Sequence, residues 1–241
     1  MPRPESAGLS AARLQHLDSF LQQQYLDTGK FPCALTLIER RGQIAHFSAL
    51  GHMDVERKRA AREDTIFRIY SMTKPLASLA LMMLVEEGRV ALDDPVHRLI
   101  PQWRDLGVYE GGFIGTFRTR RTSAPMRIVD LLRHTSGLTY GFQQRTNVDA
   151  AYRKLGIGDL GGPLSLDGMI DALAQLPLES SPGTVWNYSV STDAVGYLVG
   201  KLAGESFESF LRRRILAPLR MDDTDFMVPA AKASRLAACY A

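Results

Sequence analysis

The hydrophobic positions of this chain change period at Ser71. Just upstream, Thr65-Ile-Phe-Arg-Ile-Tyr70 is rich in β-branched and aromatic residues, the composition of an extended segment. Just downstream, Pro75-Leu-Ala-Ser-Leu-Ala-Leu-Met-Met-Leu-Val85 is apolar over a helical length and stops at Glu86-Glu87-Gly88. That pattern predicts a buried helix ended by a glycine, with Ser71 at its start.

Nearer the N-terminus, Leu14, Leu17, Leu21 and Tyr25 recur at helical spacing behind Ser10, a predicted N-cap, until Thr28-Gly29 stops them. Two apolar runs, 33–39 and 44–50, flank the turn Arg40-Arg41-Gly42-Gln43 and predict a β-hairpin. Residues 56–63 read as a charged connector, and 90–96 as a turn into a short helix cut off by Pro101. The stretch 107–125 is rich in glycine, arginine and threonine without a period, which predicts a long surface loop.

Further on, Ile128–Arg133 predicts a short helix ended by the turn His134-Thr135-Ser136-Gly137, and 166–176 a second amphipathic one. Ser191 is placed to cap an apolar helix through Val195, Leu198, Val199 and Leu202, ended by Gly204. Phe207, Phe210, Leu211 and Ile215 form the inner face of the next helix. The segment Gly156-Ile-Gly-Asp-Leu-Gly161 matches the dinucleotide pattern G-x-G-x-x-G. It follows the polar run 151–154 rather than a strand, however, and precedes Gly162-Pro163, so it reads as a loop. With helices dominating after Ser71 and one lone hairpin before it, the sheet needs more strands than this pattern supplies.

Composition adds exclusions. At 241 residues, 45% hydrophobic and 23% charged, the chain is an ordinary globular one with room for one large domain or two small ones. A net charge of +3, with 23 arginines and 6 lysines spread along the chain, points to neither nucleic acid nor a membrane surface. The longest apolar run is too short to span a bilayer, and Met1-Pro-Arg-Pro-Glu lacks a secretory signal's apolar stretch, so a cytoplasmic protein is expected. A mature secreted form would read the same way. Cys33 and Cys239 give no disulfide framework or zinc pair, and His46 and His52 have no partner at ligand spacing. No metal or organic cofactor is implied.

The chemistry centres on Ser71 and Lys74, one helical turn apart and on one face. A serine is a poor nucleophile until a neighbour takes its proton, and a desolvated lysine can do so. The helix start also places a backbone N–H and the positive end of the macrodipole where an oxyanion would develop. Ser-x-x-Lys alone is a weak pattern in a chain with 16 serines, and a capping serine with a solvated lysine is the plain structural alternative. No G-x-S-x-G elbow competes with it. His134 is close to Ser136 only in sequence and reads as a turn residue, not as part of a triad.

Ser71-Met-Thr-Lys74 followed by Pro75 and an apolar helix resembles the first signature of serine β-lactamases and penicillin-binding proteins. Three further blocks share the likeness in order: Glu87-Gly-Arg-Val-Ala-Leu-Asp-Asp-Pro-Val96, Leu131-Leu-Arg-His-Thr-Ser-Gly-Leu138 and Pro182-Gly-Thr-Val-Trp-Asn-Tyr-Ser189. Together the blocks most resemble family VIII carboxylesterases, esterases with a class C β-lactamase fold. The resemblance implies an α/β fold of α+β type, an antiparallel sheet flanked by helices plus a mostly helical domain. On that basis 1–88 forms the first part of the α/β domain, 89–200 the helical domain, and 201–241 a return toward the α/β domain.

The resemblance also implies roles. Ser71 attacks an acyl carbonyl, while Lys74 and Tyr188 share its proton and return it to the leaving group. A charged lysine beside a tyrosine lowers the phenol pKa, and the two titrations are coupled, so the base is left open between them. Tyr140 is expected as a wall of the acyl pocket. Where class C enzymes carry an asparagine that contacts the β-lactam, this chain has Val190, which shifts the expectation toward esters of short acyl chains. A β-lactamase or D-amino-acid peptidase, an acyltransferase and a non-catalytic binding member are the alternatives. The partner implied is a small-molecule ester, with no nucleic acid and no membrane. The family's third signature, of Lys-Thr-Gly or His/Trp-x-Gly type, is not found, so the chain is expected to match roughly the first two-thirds of a family member, with its sheet incomplete.

Overall fold

The computed structural model describes residues 4–159 and 161–240. Leu160, within the glycine-rich stretch, lies outside them. The chain divides into two units, Met1–Tyr70 with Asp225–Ala241 and Ser71–Thr224.

The first unit opens with α1 (Ala11–Leu21), where the Ser10 side chain accepts a hydrogen bond from the Arg13 N–H at 3.4 Å. The helix runs on as a single π-turn, Gln22–Leu26, which carries the apolar spacing out to Tyr25. Strands β1 (Cys33–Arg40) and β2 (Gln43–Asp54) pair antiparallel with Leu37 opposite Phe47. Arg41 and Gly42, with φ of 55° and 75°, form the two-residue turn whose twist matches the strands it joins.

A short strand, β3 (Arg59–Ala60), pairs antiparallel with β2. The stretch read as a charged connector therefore extends the sheet, and two residues were too few to show a period. The C-terminal segment lies in this unit as well: Ala237 and Ala238 donate backbone hydrogen bonds to Ile66 and Met53 at 2.9 and 2.8 Å. A small apolar cluster of Met53, Ala61 and Ala237 lies beneath.

The second unit is built on two helices, α2 (Thr73–Glu86) and a later one over Ser191–Ala203. Helix α2 buries Ala77, Ala80, Leu81 and Leu84, spaced to face one side. Burying each of the two leucines is worth about 1.5–3 kcal/mol. The glycine-rich stretch expected as a loop holds a small hairpin, β4 (Val108–Gly111) with β5 (Arg118–Arg120). Its strands are three and four residues long and its arginines face water, so no alternation marks them.

Helix α3 (Ile128–Leu132) follows, and then α4 (Asn147–Leu155), capped by Thr146. The sequence pattern missed α4: its run Ala151-Tyr-Arg-Lys154 looks polar, yet Tyr152 is fully buried and only the two basic residues face out. Gly156 ends α4 in the left-handed conformation at φ 67°, so the first glycine of the dinucleotide-like motif serves as a helix stop. Helix α5 (Leu166–Leu173), α6 (Ser191–Ala203) and α7 (Phe207–Leu211) complete the unit, and α6 buries Ala194, Val195, Leu198 and Val199 in the core shared with α2. Among the described residues, no helix is long and apolar enough to cross a membrane, and no cluster of three metal-ligating side chains occurs.

Candidate active site

Ser71 lies in a 3₁₀ turn, Tyr70–Met72, that leads into α2. The N-cap of α2 is Met72, so Ser71 precedes the cap and its hydroxyl is not used to hold the helix end. It is exposed and hydrogen-bonded to the Tyr188 hydroxyl at 2.6 Å. Lys74, in the first turn of α2, brings Nζ to 3.4 Å from Ser71 Oγ and 3.4 Å from the Tyr140 hydroxyl. The four residues singled out in the sequence therefore meet at one place within the second unit.

Two backbone segments carry the tyrosines, and they contain the third and fourth sequence blocks in physical contact, with Tyr140 two residues past the end of the third. The N–H groups of Glu179, Gly183, Asn187 and Val190 donate to the carbonyls of Gly137, Thr135, His134 and Thr139 at 2.7–3.2 Å. The approach is close enough that a Cβ on Gly137, at φ 87°, would lie 2.2 Å from the Ser180 carbonyl oxygen. Only glycine fits there.

A polar cluster pins the tyrosine loop from behind. Buried Asn187 donates to the Leu138 carbonyl and to Glu179 Oε2, each at 2.9 Å, and accepts from Arg145 at 2.6 Å and Gln143 at 3.0 Å. Gln143 also donates to the Tyr188 carbonyl at 2.5 Å. Burial raises the Glu179 carboxyl pKa, against the hydrogen bond from Thr146. The residue beside the reactive tyrosine thus spends its amide on holding the loop.

The electrostatics favour an ionisable Tyr188. Burial pushes its phenol up, but the contacts with Lys74 and Ser71 and the charge of Lys74 outweigh it, leaving the pKa below the ordinary value. The Lys74 ammonium lies 4.7 Å from the Tyr188 ring centroid, within cation–π range. Tyr140 behaves oppositely, because burial and the nearby Asp193 carboxylate raise its pKa far above the ordinary phenol range. The pKa values of two tyrosines side by side, with ring centroids 5.4 Å apart, are therefore moved in opposite directions.

Asp193 and His134 were not predicted for the site. Asp193, in the first turn of α6, accepts from the Tyr140 hydroxyl at 3.4 Å. That completes a line from Asp193 through Tyr140 to Lys74, which orients the ammonium toward Ser71. Burial raises the Asp193 pKa while the Lys74 charge opposes it. The His134 ring lies 4.9 Å from the Tyr188 ring, its Nδ1 is 3.3 Å from Ser189 Oγ, and burial and then Lys74 lower its pKa, which keeps it neutral. Asp193 looks like an ordinary acidic residue at a helix start, so no sequence signal marked it. His134 was visible in its block, but its proximity to Tyr188 depends on the pairing of two distant loops.

Residues 20–241 match the family model described as Beta-lactamase. The chain belongs to the beta-lactamase family. Among curated relatives, this beta-lactamase family member is 34% identical to Esterase EstB of Burkholderia gladioli over 241 residues, covering 98% of this chain and 57% of the relative. It is 35% identical to Protein Rv1367c of Mycobacterium tuberculosis (strain H37Rv) over 218 residues, covering 90% of this chain and 53% of the relative. Among solved structures, EstCE1, titled a hydrolase with promiscuous acyltransferase activity, is similar with a TM-score of 0.80 and 30% identity, covering 95% of this chain and 58% of that one. The family member thus has the fold the resemblance implied, α/β with a small antiparallel sheet and a mostly helical part. It spans about half the length of the curated relatives it matches, less than the two-thirds expected.

Proposed function

We propose that the chain carries the acylation site of a serine carboxylesterase, which cleaves esters of short acyl chains through an acyl-enzyme on Ser71. The observation that carries this reading is the 2.6 Å contact between the exposed Ser71 hydroxyl and a tyrosine of lowered pKa. Tyr188, ionised, accepts the Ser71 proton as Oγ attacks the acyl carbonyl. The positive end of the α2 macrodipole, two residues on, favours the oxyanion that forms. Tyr188 then gives that proton to the departing alkoxide, which leaves as the alcohol. Water loses a proton to the same phenolate and attacks the acyl carbon, and as the bond to Ser71 Oγ breaks Tyr188 passes that proton to Oγ, releasing the acid and restoring Ser71. Lys74 supplies the charge that keeps the phenolate available, and Asp193 and Tyr140 hold the ammonium in place.

The names of two relatives support the reading, EstB as an esterase and EstCE1 as a hydrolase. The EstCE1 title also favours a second one, acyl transfer, in which an alcohol replaces water in the last step. β-Lactam hydrolysis has weaker support: Val190 is fully buried and offers a bound amide no hydrogen bond.

The test compares p-nitrophenyl butyrate with a chromogenic cephalosporin for this chain and its Ser71→Ala variant, with and without added alcohol. Esterase activity lost in Ser71→Ala is expected. Unchanged ester turnover in the variant, or a cephalosporin hydrolysed far faster than the ester, would overturn the reading, and butyryl partition to the alcohol would favour transfer.

A further inference from the structure

Four aromatic rings form a continuous series across the site. Trp186, Tyr188, Tyr140 and Phe142 follow one another with centroid separations of 6.5, 5.4 and 4.9 Å, all within the range of attractive ring pairs. The inner two rings hold the reactive groups. Ser71 Oγ is 2.6 Å from the Tyr188 hydroxyl, and Lys74 Nζ is 4.7 and 5.6 Å from the Tyr188 and Tyr140 centroids.

The outer two rings hold nothing the mechanism uses, and they are open to water: Trp186 is 66% exposed and Phe142 65%. Neither ring belongs to the hydrophobic core of this unit or packs against it. The chain's other tryptophan, Trp103, is buried with its indole N–H donating to the Ile170 carbonyl at 3.0 Å. A scattered exposed apolar residue needs no explanation, but two large rings adjoining the rings of one nucleophilic centre are not scattered. Each outer ring is two residues from an inner one. The backbone that fixes the tyrosines, with Tyr140 itself extended at φ −126° and ψ 142°, therefore sets the outer rings as well. Aromatic rings are also rigid, so they lose little conformational freedom when they meet a ligand.

We propose that Trp186 and Phe142 are specificity-determining residues, which seat apolar groups on the two sides of the ester bond presented to Ser71. The substrate class follows: esters with an apolar group against each ring, a short apolar acyl chain on one side and a bulky or flat alcohol on the other, in preference to small polar esters. The inference rests on the esterase reading for its substrate and on the ring series for its contacts.

The experiment measures kcat and KM of the chain and its Trp186→Ala and Phe142→Ala variants. One ester series lengthens the acyl group from p-nitrophenyl acetate to octanoate, and another widens the alcohol from ethyl to 2-naphthyl butyrate. Ratios of variant to parent cancel the intrinsic reactivity of each ester. Each variant is expected to raise KM about 3- to 10-fold for the bulky members of one series, the size of one lost ring contact, while leaving acetate within about twofold. Equal losses across both series, or none, overturn the inference. Should the parent hydrolyse no ester, the esterase reading fails on its own. Equilibrium dialysis of 2-naphthyl butyrate with Ser71→Ala then decides the second question: binding weakened by adding Trp186→Ala or Phe142→Ala supports the seating role, and undiminished binding overturns it.

Discussion

The Tyr188 hydroxyl lies 2.6 Å from Ser71 Oγ, closer than the 3.4 Å that separates Lys74 Nζ from the same oxygen. The phenol is thus the nearer of the two groups able to take the serine proton. Lys74, 4.7 Å from the Tyr188 ring centroid, acts instead through its charge on the phenol.

Replacing Tyr188 by phenylalanine keeps the ring against Tyr140, Trp186 and His134 and deletes the hydroxyl that touches Ser71. Ester turnover is expected to fall about 10²- to 10⁴-fold, the range of a lost general acid–base group. Circular dichroism and the melting temperature should change little, because the hydroxyl sits at an exposed contact. Steady-state kinetics on p-nitrophenyl butyrate reads the result.

Lys74→Met tests the charge. Burial alone would push the Tyr188 phenol up, and it is the Lys74 and Ser71 contacts that bring it down. Removing the cation therefore raises the phenol pKa, so less phenolate exists at neutral pH. The rising alkaline limb of the kcat/KM profile should move to higher pH, and activity at pH 7 should drop while part of it returns in more basic buffer. A limb that stays in place would assign the titration to another group.

Much of this was legible in the sequence because the relevant signals are local. The α2 helix, the hairpin and the helix that became α6 follow from period and from glycine stops, and Ser71 and Lys74 are one turn apart by helical geometry alone. Tyr188 entered only through its block, since a lone tyrosine has no spacing to read. Helix α4 escaped because its polar face dominates nine residues, and β4 and β5 because they are too short to alternate. Asp193 and the Asn187 cluster escaped for a different reason. Their roles come from contacts between α6, the 134–143 loop and the 179–190 loop, which no window along the chain contains.

Asn187→Ala should damage the site from behind. It leaves the buried Leu138 carbonyl without its donor and removes one partner each from Glu179, Arg145 and Gln143, which keep the contacts of Thr146 with Glu179, Arg145 with Glu179 and Gln143 with the Tyr188 carbonyl. A buried carbonyl left unpaired costs about 1–3 kcal/mol, and a loss of about that size in urea unfolding is expected. Ester turnover should fall along with it, because Gln143 and Asn187 fix the backbone that carries Tyr188.

Gly137→Ala places a Cβ 2.2 Å from the Ser180 oxygen at a φ that alanine rarely adopts. The two loops must move apart or strain, at a cost of about 1–3 kcal/mol or more. A lower melting temperature is expected, with turnover reduced below that of an Ala substitution at Gly161, which meets nothing within 4 Å.

The proposed reaction passes through an acyl-enzyme on Ser71, and mass spectrometry reads it directly. After rapid quenching of a reaction with p-nitrophenyl butyrate, the chain should gain one butyryl group, located on the peptide that contains Ser71 and absent from Ser71→Ala. A butyryl group on another residue, or full ester turnover by Ser71→Ala with no covalent adduct, would contradict the account.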